Sequence, residues 1–227
     1  MPEPFYFDQK IALVAGGTGG LGAPIAAELR ARGCIVTTVS RATISDAAHI
    51  SADLRSPDAI STVVNSIVER HGALDIVVNA MGVVAFGTVD TTSIDTIEEL
   101  FLTNTFAHIF LMKEALKCAR QGSVLVGISG VIAEQNLAGM ATYGASKAAV
   151  RSFNEALTRE ARRSGIRVID TRPPHTETGL SSRAIAGDPP KFPVGLDPIK
   201  VAQRIVRAIA DGETDLPSTA FADLSGD

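Results

Sequence analysis

The sequence predicts a three-layer α/β sandwich: a doubly wound parallel sheet flanked by helices on both faces. Three observations carry this expectation. Short β-type runs alternate with helix-period stretches along the chain. Runs such as DIVVNA at 75–80 are apolar toward both faces, as a sheet covered on each side requires. A glycine-rich turn joins the first strand to the first helix. With 227 residues, 45% hydrophobic and 20% charged, the chain suits one domain spanning 1–227.

The elements follow in order. Residues 10–15 (KIALVA) read as a strand, Gly16 to Gly22 as a turn, and LGAPIAAELRARG as a helix ending at Gly33. CIVTTV is the second strand. Between Arg41 and Asp53 only ATISDAAHISA intervenes, barely a crossover of about 10–12 residues, so a helix there is one turn or absent. SPDAISTVVNSIVERHG is a helix opened by Ser56 and Pro57, and LDIVVNA the next strand. A long helix is expected over 97–119, a buried strand at 122–128, a helix over 141–164 and a strand in GIRVIDT. From Pro173 to Pro198 the chain is rich in Pro, Gly and Ser, which predicts a mobile substrate lid at about 174–197.

Composition narrows the function. The net charge is −4, from 21 basic and 25 acidic residues without a basic run, which argues against nucleic acid. Cys34 and Cys118 lack CxxC spacing, and His49, His71, His108 and His175 each stand alone, so no metal site or disulfide is expected. MPEPFYFDQK does not read as a leader, and no apolar run approaches the roughly 18 residues of a membrane span. A cytoplasmic protein is expected. His108 reads as a packed core or interface residue. His175, beside Pro173 and Pro174 at the lid, reads equally as a substrate contact or a surface histidine.

The first chemical signal is AGGTGGLG at 15–22. Gly16, Gly20 and Gly22 let the backbone turn tightly and approach a pyrophosphate at a helix N-terminus, where free N–H groups and the dipole favour negative charge. Thr18, Gly19 and Leu21 belong to the same cradle. About 20 residues on, Ser40 and Arg41 stand where an acid would hold a ribose 2′-hydroxyl; a guanidinium there favours NADP(H) over NAD(H). The second signal is YGASK. Tyr143 and Lys147 lie at i and i+4 on one helix face, and a nearby ammonium and an oxidised nicotinamide both favour the phenolate that acid–base work at neutral pH needs.

With these motifs in place, the chain resembles the short-chain dehydrogenase/reductase family over nearly its whole length. AGGTGGLG is similar to TGxxxGxG with Ala15 for the threonine, Asp53-Leu54 to the pair that meets adenine, and VNAMG at 78–82 to NNAG. The resemblance implies a Rossmann fold, cofactor contacts from Asn79, Ala80 and Met81, and a relay water held by Asn104. It implies that RPPHTETGL at 172–180 meets nicotinamide through Pro173, Thr176 and Thr178, with Pro174 where glycine is usual. It further implies a homodimer or homotetramer on the helices of Asn104 and Tyr143. One position departs: the serine expected thirteen residues before Tyr143 is Gly130. Ser129 is the candidate replacement, provided the backbone at Gly130 turns it toward the pocket.

The expected function is hydride transfer between NADP(H) and a small carbonyl or alcohol, with catalytic residues Tyr143, Lys147, Asn104 and Ser129. The missing serine leaves a second reading open, a nucleotide-binding regulatory protein with weak or no turnover. A sugar-nucleotide epimerase is disfavoured because the chain leaves little room for a substrate domain.

Overall fold

The computed structural model describes residues 5–225. Seven strands form one parallel sheet in the order β3-β2-β1-β4-β5-β6-β7. They are β1 (Ile11–Ala15), β2 (Ile35–Ser40), β3 (His49–Ser51), β4 (Ile76–Asn79), β5 (Val124–Ile128), β6 (Arg167–Thr171) and β7 (Asp215–Leu216). The expected three-layer Rossmann architecture is the one observed. Both faces are buried, and alternation sorts them. Ala12 and Val14 pack under α1 (Gly22–Ala31) and α6 (Pro198–Asp211), while Ile11, Leu13 and Ala15 pack under α2 (Pro57–His71), α4 (Ala107–Cys118) and α5 (Ala141–Ala161).

Local chemistry sets the helix ends. Ser56 caps α2 by accepting from Ala59 N, Pro57 occupies the first turn, and Gly72 closes the helix with φ 73°. The crossover from β2 to β3 has no helix, as its length requires.

Three features differ from the sequence expectation. Short β3 pairs with β2 within the stretch read as crossover. The helix expected over 97–119 starts earlier, at α3 (Ile94–Leu100) with Ser93 as its cap, and passes through a π-helical turn at Phe101–Phe106 before α4. Beyond the irregular segment 173–197 come α6 and β7, whose signals are present: Asp197 caps Ile199 N at 2.7 Å, Pro198 follows, and Val201, Ala202, Ile205, Val206 and Ile209 form one buried stripe. Among the described residues no helix is long and apolar enough to cross a membrane.

Candidate active site

The C-terminal ends of β1, β4, β5 and β6 meet along one edge of the sheet, where a doubly wound fold binds its ligands. Gly16 leaves β1 with φ +75°, and a Cβ there would lie 2.8 Å from the Ala80 backbone. Gly16 N and Gly17 N donate to Val39 O at 2.8 and 3.2 Å, seating the turn against the end of β2. No side chain caps α1 at Leu21, so its first N–H groups have no side-chain cap. A Cβ on Gly20 would stand 2.2 Å from Thr178 O, so the segment after β6 lies directly over the turn.

That segment is tied down by backbone hydrogen bonds. Ile185 N donates to Val84 O and Phe86 N to Ala186 O, both at 2.9 Å, and Leu196 N donates to His175 O at 2.8 Å. Beneath it lies a cavity of about 250 Å³. Gly19–Leu21 and Ala80–Gly82 line one end, Tyr143 and Lys147 the middle, and Val84, Phe86, Ile132, Leu137, Met140, Leu180 and Phe192 the apolar remainder.

Tyr143 and Lys147 stand one turn apart on α5, both buried. Burial pushes the Tyr143 phenol up to about 12. Lys147 Nζ donates to Ile128 O at 2.9 Å, and burial pulls it down to about 8 against the charge of Asp170. Asn104 sits in the π-helical turn, a distortion that recurs at functional sites. Its Oδ1 accepts from Val83 N at 2.9 Å, and its Nδ2 donates to Val83 O at 3.0 Å and Ser146 Oγ at 2.9 Å. A Cβ on Gly82 would meet Asn104 Oδ1 at 3.3 Å and Lys147 Nζ at 3.5 Å, so both groups flank that loop.

Comparison with known proteins agrees. Residues 10–188 match the family model described as short chain dehydrogenase. The chain belongs to the short-chain dehydrogenase/reductase family. It is 30% identical over 217 residues to hydroxynaphthalene reductase of Aspergillus fumigatus, covering 89% of this chain and 78% of that one. It is 30% identical over 195 residues to 3beta-hydroxysteroid dehydrogenase of Mediterraneibacter gnavus, covering 79% and 71%. Among solved structures it resembles a short chain dehydrogenase from Burkholderia cenocepacia in complex with NADP, with TM-score 0.81, 26% identity, and 95% and 99% of the two chains covered. The protein is an oxidoreductase of this family, whose members bind NAD(P).

In this dehydrogenase/reductase the remaining sequence candidates separate into four groups. Pro173, Thr176 and Thr178 line the cavity, and so does His175, stacked on Phe192 with centroids 4.7 Å apart. Ser40 and Arg41 lie at the end of β2 beside the glycine turn, Arg41 exposed; Ser40 Oγ accepts from Ala42 N at 3.2 Å. Asp53 and Leu54 lie away from the cavity. The Asp53 carboxylate is clamped by Arg55 at 2.6 Å, which with Arg41 nearby holds it below the usual carboxylate range, and Leu54 is core. Asn79 lies beneath the cavity, its Oδ1 accepting from Met81 N at 3.0 Å.

Ser129 lines the cavity, but its hydroxyl is engaged elsewhere. Gly130 does take φ +79°, and β5 has already ended, as the sequence reading required. Ser129 is fully buried, and its hydroxyl donates to Asp170 Oδ2 at 2.9 Å. A serine has one proton, and here an adjacent-strand carboxylate takes it. Position 130 itself faces open space on the cavity wall. The residues that sequence reasoning missed are the apolar walls, drawn from four separate segments, and the polar partners beneath them: His108, Asn154, Asp170 and Arg172. DTRPP is the visible trace of the last two, charges at the end of an otherwise apolar strand.

Proposed function

We propose that the protein is an NADPH-dependent reductase of apolar ketones or aldehydes, with Tyr143 as the proton donor. The observation that carries this reading is the pair Tyr143 and Lys147, one turn apart on α5 and lining the cavity shared by the glycine turn and an apolar wall. The residues present fit the cofactor: an uncapped helix start, a turn whose Gly16 and Gly20 positions leave no room for side chains, and Arg41 for a 2′-phosphate. When bound, NADPH supplies the hydride.

This chain's own part is positional and protic. Tyr143 donates to the substrate oxygen as negative charge develops there. Lys147 holds a ribose hydroxyl and returns the proton to Tyr143, and the backbone around Asn104 holds the relay water. With position 130 bare, Tyr143 is the donor to that oxygen. The apolar walls and the names of the two relatives above support a ring-bearing carbonyl substrate. Assembly through α4 is supported by Phe106, which is 47% exposed and stacked on Phe110.

The test is NADPH consumption over a panel of aliphatic, aromatic and polycyclic carbonyls. Tyr143→Phe is expected to bind NADPH as wild type does and to lose about 10² to 10⁴ in kcat on the best substrate. A fully active Tyr143→Phe enzyme would sink the mechanism, and a wild type inert on every class would favour the regulatory reading.

A further inference from the structure

Asn79 on β4, Gly127 on β5 and Asp170 on β6 stand side by side in register across three strand ends. Gly127 leaves a gap between two polar side chains, and two helices fill it: His108 reaches in from α4 and Asn154 from α5, both fully buried. A Cβ at 127 would lie 2.3 Å from Asn154 Nδ2 and 2.8 Å from His108 Cε1, so the bridge occupies the space a side chain would need.

The hydrogen bonds all run one way. Met81 N donates to Asn79 Oδ1 (3.0 Å), Asn79 Nδ2 to His108 Nδ1 (2.9 Å), His108 Nε2 to Asn154 Oδ1 (2.7 Å), and Asn154 Nδ2 to Asp170 Oδ1 (2.8 Å). This polarity requires a neutral imidazole with its proton on Nε2, and burial pushes His108 down to about 4. Asp170 also accepts from the Ser129 hydroxyl and from Arg172, which continues to Glu134 and, at 2.6 Å, to Asp215. Burial raises the Asp170 carboxyl, and these donors oppose that rise.

Lys147 sits beside this bridge: its Nζ donates to Ile128 O at 2.9 Å, and Ile128 follows Gly127 on β5 and pairs in register with Thr171, the neighbour of Asp170. The titratable and charged groups around it are Tyr143 on its own helix, His108 from α4 and Asp170 from β6; Arg172 is paired to Asp170, with Glu134 and Asp215 beyond it. Arg151, the next turn of α5, points instead to Ala133 O. The Asp170 carboxylate, held by Asn154 two turns along the same helix, is the negative group that favours the Lys147 ammonium.

We propose that Asp170 is a positioning residue for the proton-transfer pair: the bridge over Gly127 fixes a buried negative charge beside Lys147 and keeps its ammonium protonated. A neutral Lys147 amine would lose the proton it is to return to Tyr143. The proposal rests on the reading of Lys147 as part of that pair.

The test reads Lys147 directly, by NMR titration of ¹³Cε-lysine protein assigned with Lys147→Met, without substrate or turnover. Wild-type Lys147 is expected to titrate near about 8. Asp170→Asn should lower the midpoint by about one pH unit and carry the alkaline limb of kcat/KM down with it. Ser129→Ala removes a hydrogen bond from Asp170 but no charge, and should leave the midpoint within about 0.3 unit; a purely structural role would move neither titration.

Where Asp170→Asn does not fold, Asp170→Ser removes the same charge while keeping a hydroxyl for Asn154 and Arg172, which retains Glu134 and Asp215, and should shift Lys147 the same way. An unmoved midpoint in either folded variant overturns the proposal, as does a wild-type midpoint below about 7. A lowered midpoint with an unmoved rate profile upholds the charge coupling and overturns the catalytic reading of Lys147.

Discussion

The two ends of the cavity are built from different material. At the cofactor end, around Gly16–Gly22, the working surface is backbone: open helix N–H groups, with side chains excluded by Ala80 and Thr178. At the chemical end, under Tyr143 and Lys147, the working surface stands on a buried polar network drawn from β4, β5, β6, α4 and α5. The first end depends on having no side chains and is local in sequence. The second depends on five elements arriving together, and a change in any one is felt by the others.

The largest expected break in this comparison is Gly20→Val. Its side chain must displace either the turn or Thr178, and the expected result is about 10³-fold weaker NADPH binding, the loss of roughly two charge-assisted hydrogen bonds to phosphate. Fluorescence titration measures it; a variant binding within threefold of wild type would show that the turn is not the phosphate site.

A smaller effect belongs to the chemical end alone. His108 is neutral when folded, with its pKa near about 4, below the ordinary 6.5. The unfolded chain therefore takes up a proton between pH 6.5 and 4 that the native protein does not, and stability falls as pH drops through that window, by about 3 kcal/mol at most. Urea melts of wild type and His108→Gln across that window check this, the variant being expected to show a flatter slope. Equal slopes would remove His108 as the cause.

The smallest effect sharpens the cofactor end. Arg41 is exposed and reaches a phosphate only from the rim, so Arg41→Ala should cost about tenfold in NADPH affinity and leave NADH unchanged. Equal loss for both cofactors would place Arg41 outside the 2′-phosphate site.

Legibility in the sequence followed the same division. The glycine turn, its strand and its helix were readable because every residue they need is within one βαβ unit. YGASK was readable because a helix turn fixes the spacing of Tyr143 and Lys147. The three-residue β3 carried no periodicity of its own, and α6 had clear caps but followed a long irregular segment that obscured it. The π-helical turn at Phe101–Phe106 left no trace in the hydrophobic pattern, since it interrupts one continuous helical run. The direction of the Ser129 hydroxyl was not legible because its partner is Asp170, 41 residues away.

The sequence by itself determined the layer order, the parallel sheet, the glycine turn and the Tyr143–Lys147 spacing, because hydrophobic period, glycine placement and helix spacing are properties of neighbouring residues. Only the tertiary structure decided the burial of that pair, the direction of the Ser129 hydroxyl, the bridge over Gly127 and the apolar cavity walls. Each is a matter of burial and of partners brought close from distant segments, and desolvation and hydrogen bonding act through distance in space.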